Sequence, residues 1–141
     1  MIKKHEKYLL INIANECGGS VSEANFKSGY ENGVNRMRSA GIHVPLIIDG
    51  TDWGKNINIL QACGSYLISH DPDQNLMFSI HMWWPYMWGY TDAMVENELQ
   101  ECVNLNLPII VGEFGHRWDL SANGGIPYLK ILEACHQREI G

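Results

Sequence analysis

Four short apolar runs alternate with four helical patterns along the chain, and this alternation limits the possible folds more than any other feature. The predicted strands cover residues 8–14, 44–49, 76–82 and 107–112. The predicted helices cover residues 22–40, 55–68, 91–104 and 127–138. Repeated β-α units imply a parallel sheet with right-handed crossovers. The sequence therefore predicts an α/β fold made of four successive β-α units.

The ends of the predicted helices carry residues that favour helix termination. Ser22 and Thr91 are expected N-caps, Gly41 lies where a C-terminal cap belongs, and Pro127 suits a first helical turn. Apolar residues at helical spacing define the faces expected to be buried. In the third helix this face comprises Met94, Val95, Leu99 and Cys102.

Length and charge narrow the classes of function. A chain of 141 residues fits a single domain, here residues 1–141. The formal net charge of −6 argues against a nucleic-acid partner and gives no reason to expect an anionic membrane surface. No segment approaches the ~18 apolar residues of a membrane span. An uncharged polymer such as a polysaccharide is compatible with this charge.

The cysteines and the first residues of the chain indicate neither a disulfide scaffold nor an export signal. None of the four cysteines forms a CxxC pair, and Cys63, Cys102 and Cys135 are expected to be buried thiols. The basic residues of 1–4 precede an apolar run, as in a signal peptide. Polar residues interrupt that run and no cleavage site follows, so we interpret it as a buried strand.

Two architectures satisfy the β-α pattern: a doubly wound sheet and a segment of a (β/α)8 barrel. Gly18 and Gly19 lack the further glycines of a dinucleotide-binding loop, which weakens the doubly wound alternative. Polar residues follow the predicted strands at their carboxyl ends. Glu16 follows the first strand, His81 closes the third and Glu113 follows the fourth. In a barrel these ends open on one catalytic face.

The two glutamates are the candidate catalytic residues. A carboxylate at the end of an apolar strand is costly to bury unless it has partners. Three strands apart, Glu16 and Glu113 can face each other across a barrel mouth. Retaining glycoside hydrolysis needs such a pair, with the carboxyl groups ~5 Å apart. The simpler alternatives are a carboxylate at a helix N-terminus for Glu16 and a solvated loop carboxylate for Glu113.

Three segments of the chain resemble strand signatures of glycoside hydrolase family 5. They are residues 11–16 (INIANE), 78–83 (FSIHMW) and 110–115 (IVGEFG), and their order and spacing carry the resemblance. Residues 48–54 (IDGTDWG) and 71–75 (DPDQN) are similar to the bacterial β-mannanase branch. The similarity covers nearly the whole chain.

The resemblance implies a role for each matching residue. Glu16 corresponds to the acid/base, Glu113 to the nucleophile, and Asn15 to the residue that binds the sugar 2-hydroxyl. His81 corresponds to a histidine of the active-site wall, with a satisfied core histidine as the alternative. Trp83 stands where the family usually has a tyrosine whose hydroxyl contacts the nucleophile, and its indole has a different reach.

Other tryptophans offer flat apolar faces that match the C–H faces of pyranose rings. Trp53 and Trp83 are the expected substrate-binding tryptophans, and Trp84 and Trp88 are weaker candidates. Packing within loops or a dimer contact are the alternatives. His43, His70 and His136 show no metal-ligand spacing with a carboxylate, so neither a metal nor a cofactor is expected.

Compared with the family, the chain corresponds to strands 4 to 7 of the barrel, which predicts half of a TIM (β/α)8 barrel. An open sheet leaves apolar strand edges that invite pairing with another chain. We therefore expect a homodimer that closes an eight-stranded barrel. The resemblance implies a retaining endo-β-1,4-glycanase acting on mannan, or alternatively on cellulose. A catalytically silent half-barrel is the other possibility. The parent enzyme is expected to be secreted, since such polymers are extracellular.

Overall fold

A computed structural model describes residues 5–141, so the basic start at residues 1–4 lies outside the described part. The strands are β1 (Ile11–Asn12), β2 (Leu46–Asp49), β3 (Leu76–His81) and β4 (Ile109–Glu113). The helices are α1 (Glu23–Ser39), α2 (Ile57–His70), α3 (Asp92–Asn104) and α4 (Tyr128–Arg138). Short 3-10 turns cover Glu6–Tyr8 and Tyr86–Trp88.

The four strands form one parallel sheet in the order β1-β2-β3-β4, and a helix follows each strand. Sequential parallel strands with helices between them are the arrangement of one half of a (β/α)8 barrel. This confirms the predicted fold class. All four strands run in the same direction, so their carboxyl ends lie on the same side of the sheet. Glu16, His81 and Glu113 are found on that side.

The first strand differs most from its prediction. We expected a buried strand over residues 8–14, but β1 covers only Ile11–Asn12, and Tyr8 ends a 3-10 turn with an exposed side chain. Hydrogen bonds to Pro45 and Ile47 of the neighbouring segment extend the pairing slightly at both ends. The strand is short because the 3-10 turn Glu6–Tyr8 precedes it and because, after it, the amides of Ala14 and Glu16 donate to the side chains of Asn12 and Asp49.

The helix caps agree with the sequence prediction. The Ser22 side chain accepts the amide of Asn25 at 3.3 Å, and the Thr91 side chain accepts the amide of Met94 at 3.2 Å. Gly41 follows α1 with φ +77°, a conformation that glycine adopts readily. The expected burial of Met94 is wrong: its side chain is 38% exposed, because it lies on the solvent side of the helix and beside a cavity.

The core lies between the sheet and the helices, and a buried ion pair lies at its border. Arg38 of α1 donates twice to Asp71, with both N···O distances at 2.8 Å. Burial alone raises the pKa of Asp71, but hydrogen bonds from Arg38 and from the amides of Asn75 and Asp73 outweigh it, so the pKa is lowered. This pair fixes α1 to the turn before β3. In a buried pair, removing one partner typically costs ~3–5 kcal/mol.

The outer edge of β4 carries one further contact. The amide of Val111 donates to the carbonyl of Gly141 at 2.8 Å, so the residues after α4 lie along this edge. Within residues 5–141, none of the helices has the length and apolar character needed to cross a membrane.

Candidate active site

Glu16 is held at the end of β1 by a buried aspartate. Its backbone amide donates to Asp49 Oδ2 at 2.9 Å, and Asn12 Nδ2 donates to the other oxygen of the same carboxylate at 2.8 Å. Glu16 has φ +50°, in the left-handed region that costs a non-glycine residue energy. Such strain recurs at functional sites, where the surrounding contacts maintain it. Asp49 therefore fixes the turn from which the Glu16 side chain projects.

His81 lies between the two glutamates. Its ring nitrogen Nδ1 is 3.1 Å from Glu16 Oε1 and 3.6 Å from Glu113 Oε2, and Nε2 is 3.5 Å from Asp49 Oδ2. The first contact is a hydrogen bond, and the two longer ones are electrostatic contacts. The imidazole is only 2% exposed, and its backbone amide donates to the carbonyl of Gly54. His81 is thus a buried histidine with hydrogen-bond partners, as in the core alternative, and its ring also faces the carboxylates, as expected of a histidine in the wall of the site.

Glu113 ends β4, and a tryptophan holds its carboxylate. Trp83 Nε1 donates to Glu113 Oε2 at 3.0 Å. The indole therefore reaches the Glu113 carboxylate, although its reach differs from that of the tyrosine expected at this position. Gly115 makes this reach possible, because a Cβ there would lie 2.8 Å from Cζ3 of the Trp83 ring. Donation to an ionised acceptor is stronger than between neutral groups, so this contact orients the carboxylate.

The carboxylates of Glu16 and Glu113 come close together in one chain. One oxygen of each carboxylate and one ring nitrogen of His81 lie within 4.8 Å of one another. That spacing fits a carboxylate pair without room for a water between the groups, the geometry associated with a covalent glycosyl-enzyme. Two carboxylates and an imidazole are also a possible donor set for a divalent cation. Among residues 5–141, Glu16, His81 and Glu113 form the one cluster of three or more such donor residues.

The tryptophans fall into two groups. Trp84 is buried, stacks on Tyr90 and donates its indole N–H to the carbonyl of Lys55, so it is a packing residue. Trp53 and Trp88 are about half exposed, and Trp83 is partly buried. Trp53 and Trp88 line a cavity of about 460 Å³ together with Glu16 and Trp83. The structure thus places Trp53, Trp83 and Trp88 beside Glu16, and their binding of substrate remains a prediction.

Asn15 precedes Glu16 and has an exposed side chain. It makes no side-chain hydrogen bond with another residue of the described range, so the amide is open to solvent. The predicted contact with a sugar hydroxyl remains a prediction.

Two residues of the site were missed from the sequence. Asp49 is fully buried and binds both Asn12 and the Glu16 amide. An aspartate that ends the apolar run Leu46–Ile48 was the available signal, since an unpaired buried carboxylate is costly. Trp118, in the loop after β4, also lines the cavity. That loop has no periodic pattern, so only the aromatic residue itself offered a signal.

Comparisons with known proteins identify related sequences and structures. The sequence profile of the cellulase family, glycosyl hydrolase family 5, matches residues 3–138. Mannan endo-1,4-beta-mannosidase of Cellvibrio japonicus is 36% identical over 111 residues, covering 77% of this chain and 25% of that protein. Beta-mannanase/endoglucanase A of Caldicellulosiruptor saccharolyticus is 32% identical over 114 residues, covering 80% of this chain and 8% of that protein.

A solved structure of β-mannanase from Thermomonospora fusca superposes with a TM-score of 0.86 at 30% identity. It covers 99% of this chain, which in turn covers 45% of the mannanase chain. The chain therefore spans about half of that solved structure and a quarter or less of the two curated relatives.

Proposed function

The chain belongs to glycosyl hydrolase family 5, and from that premise we propose that it carries the acid/base and the nucleophile of a retaining endo-β-1,4-mannanase. The single observation that carries this proposal is that one carboxylate oxygen of Glu16, one of Glu113 and a ring nitrogen of His81 lie within 4.8 Å of one another at the carboxyl-end side of the sheet. A pair so close supports double displacement, because an inverting pair needs room for water between the carboxyl groups.

The proposed reaction has two steps. In the first, Glu113 attacks the anomeric carbon while Glu16 donates its proton to the glycosidic oxygen, so the C–O bond breaks and the leaving chain departs. A glycosyl ester on Glu113 results. In the second, Glu16 accepts a proton from water, the resulting hydroxyl attacks the anomeric carbon, and Glu113 leaves as a carboxylate. Both steps invert the anomeric centre, so the net result is retention.

The neighbouring residues orient these two groups. His81 holds the Glu16 carboxyl through Nδ1, and Trp83 aims the Glu113 carboxylate through Nε1. We assign to Asn15 the 2-hydroxyl of the sugar at the reacting centre, and to Trp53 a ring-stacking role. The mechanism uses acid, base and nucleophile from the chain itself, so a chelator is expected to leave the rate of hydrolysis unchanged.

Mannan is the proposed substrate and cellulose is the alternative. The names of the Cellvibrio and Thermomonospora relatives support mannan, and the name of the Caldicellulosiruptor relative includes both activities. The choice depends on the contacts made to the C2 hydroxyl, which is axial in mannose and equatorial in glucose. We also propose that the parent enzyme is secreted, since both polymers lie outside the cell.

We propose that residues 1–141 act as one portion of a (β/α)8 catalytic domain and that two copies of this chain associate to close the barrel. An apolar groove of about 240 Å³ beside β1, lined by Ile13, Phe26 and Tyr30 among others, supports a missing neighbour on that side. On the other side, the Val111 amide of β4 donates to Gly141, and the proposed dimer requires the partner's first strand to take the place of Gly141 there. Sedimentation at micromolar concentration is expected to give twice the mass of one chain. A single compact monomer would remove this part of the proposal.

The enzymatic proposal is tested by the release of reducing ends from mannan and from carboxymethyl cellulose. Glu113→Ala and Glu16→Ala are each expected to lower the rate at least 10³-fold, because each removes a group that forms or breaks a bond. Glu23→Ala on α1 serves as the matched control, since Glu23 is an exposed carboxylate that pairs with Lys27 at the surface. Equal rates for the parent and Glu113→Ala would indicate a catalytically silent half-barrel.

A further inference from the structure

The chain leaves the parallel sheet just before Glu16, and side chains then hold its backbone. β1 ends at Asn12, and the amide of Ile13 still donates to a carbonyl of β2 at 3.1 Å. Beyond that point, the Ala14 amide donates to Asn12 Oδ1 at 3.0 Å. The Glu16 amide donates to Asp49 Oδ2 at 2.9 Å. Asn12 and Asp49 therefore take over the role of a neighbouring strand in the segment that carries Glu16.

Asn12 and Asp49 fit each other as donor and acceptor. Asn12 Nδ2 donates to Asp49 Oδ1 at 2.8 Å, while Asn12 Oδ1 accepts the Ala14 amide. These two bonds use both ends of the side-chain amide and fix its orientation. Asp49 meets two N–H donors, one at each oxygen, and an ionised carboxylate accepts at both. An asparagine of the same shape has one acceptor end and one donor end, so it could not hold both groups.

The sheet makes Asp49 a firm anchor. Asp49 is the last residue of β2, which lies between β1 and β3, and it is fully buried. Burying a carboxylate is costly unless donors surround it. The donors here belong to Asn12 and Glu16, and the His81 ring lies beside them. The negative charge is therefore buried at the place where it holds the segment of Glu16.

The Glu16 side chain is connected to Asp49 as well. His81 Nδ1 lies 3.1 Å from Glu16 Oε1, and Nε2 of the same ring lies 3.5 Å from Asp49 Oδ2. Asp49 thus contacts the backbone of Glu16 directly and faces its carboxyl group through the imidazole. Glu16 has φ +50°, a conformation that persists in a non-glycine residue only where surrounding contacts maintain it. Without Asp49 this turn is expected to relax and to move the carboxyl group.

We propose that Asn12 and Asp49 are positioning residues of the reaction, which hold Glu16 where it gives a proton to the departing oxygen and later takes one from water. The inference rests on the proposed function for the role of Glu16. Both residues act through Glu16, whereas the Glu113 carboxylate is held separately by Trp83. Loss of the pair therefore affects the steps that need proton transfer and spares the nucleophilic attack.

Two substrates with different leaving groups separate these steps. Mannotetraose needs the proton from Glu16, whereas 2,4-dinitrophenyl β-mannobioside releases a phenolate that is stable without one. Asp49→Asn is expected to lower kcat/KM for mannotetraose about 10²-fold, as a displacement of ~1 Å can do, and to leave that for the aryl mannobioside nearly unchanged. With the aryl substrate, the glycosyl-enzyme then waits for Glu16 to activate water, so the phenolate appears in a burst.

Exchanging the two side chains tests the pairing itself. Asn12→Asp alone places two carboxylates against each other and is expected to lower kcat/KM for mannotetraose. Combined with Asp49→Asn, it restores every bond: the new amide donates to residue 12 and its oxygen accepts the Glu16 amide. The double variant is therefore expected to recover about tenfold or more of the activity that Asp49→Asn loses, a coupling that two independent residues would not show.

The controls separate positioning from general loss of structure. Asp71→Asn removes another buried carboxylate, which accepts the Asn75 amide at 2.8 Å but lies outside the site. It is expected to act equally on the two substrates. Asn12→Ala serves if Asp49→Asn does not fold, and it should show the same difference between substrates with a smaller loss. Its own control is Asn35→Ala, since Asn35 is exposed on α1.

Hydrogen exchange of the backbone amides, followed by NMR, tests the positioning without a substrate. Exchange at Glu16 is expected to be about tenfold or more faster in Asp49→Asn than in the parent, and to slow again in the double variant. Equal exchange in parent and Asp49→Asn, equal losses on both substrates, or a double variant no more active than Asp49→Asn would each overturn the inference. If the parent hydrolyses neither substrate, the proposed function fails and the catalytic role of the pair with it, while the exchange rates still decide whether the pair holds Glu16.

Discussion

Gly54 lies directly against His81, and one added carbon there tests the geometry of the site. A Cβ at residue 54 would lie 2.5 Å from Cγ and 2.6 Å from Nδ1 of the imidazole. Gly54 also has φ +76°, and a side chain in the left-handed region costs ~1–2 kcal/mol. The imidazole has little space to retreat, since it is 2% exposed and contacts Asp49 and Glu16. Overpacking of such a position typically costs ~1–3 kcal/mol more.

Gly54→Ala is therefore expected to lower the free energy of unfolding by roughly 2–5 kcal/mol, a large share of the ~5–15 kcal/mol of a typical domain. Hydrolysis of mannan is expected to be lost with it, because His81 is displaced from Glu16. The assay is urea unfolding followed by tryptophan fluorescence at a fixed protein concentration.

Gly89→Ala is the matched control for this substitution. Gly89 has φ +86° but no atom within 4 Å of the added carbon, so its replacement costs only the backbone term of ~1–2 kcal/mol. The difference between the two variants isolates the steric contact with His81. If Gly54→Ala is no less stable than Gly89→Ala, the imidazole does not lie beneath residue 54 and the described site is incorrect.

Three further outcomes are expected. Trp83→Phe removes the N–H that donates to Glu113. Because a hydrogen bond to a charged group contributes ~1.5–3 kcal/mol, turnover on mannan is expected to fall at least tenfold. Unchanged turnover would contradict this role of Trp83. Asp71→Asn lowers the free energy of unfolding by ~3–5 kcal/mol at pH 7, because the buried Arg38 loses the charged carboxylate to which it donates twice, and only the contact of its Nε with Asp73 at 3.1 Å keeps a negative charge beside it. The pKa of Asp71 is lowered in the folded chain, so the ionised carboxylate stabilises the fold at pH values above the ordinary carboxyl range. This stabilisation is lost as the pH falls through the lowered pKa, so the difference in free energy of unfolding between parent and Asp71→Asn narrows in acid. Iodoacetamide is expected to label only Cys17 in the native chain, and the masses of the labelled peptides test this. The other three cysteines are at least partly buried, and burial raises the pKa of their thiols, so fewer of them are in the reactive thiolate form.

The features that the sequence predicted well depend on local patterns. Ser22 and Thr91 cap helices through bonds that span three residues, so their roles are visible in short segments. The alternation of apolar runs and helices likewise specifies parallel β-α units without knowledge of distant contacts. The order of Glu16, His81 and Glu113 along the strands was enough to place them at one edge of the sheet.

The features that the sequence missed depend on what packs from elsewhere. The length of β1 is set by the neighbours of an edge strand, which a uniform apolar run does not reveal. The exposure of Met94 depends on which side of α3 meets α4 and the sheet. Asp49 acquires its role only when Asn12 and Glu16 fold over it, and Trp118 only when its loop bonds to the turn after β3.

The assignment of Glu113 as nucleophile is tested most directly by trapping the glycosyl-enzyme. A 2-deoxy-2-fluoro-β-mannobiosyl fluoride slows both steps, but its good leaving group lets the first step proceed, so the covalent intermediate accumulates. The mass of the intact protein is expected to rise by one fluorinated disaccharide unit, carried on the peptide that contains Glu113 and absent from Glu113→Ala. An unlabelled parent chain, or a label on Glu16 or another residue, would contradict the proposed mechanism.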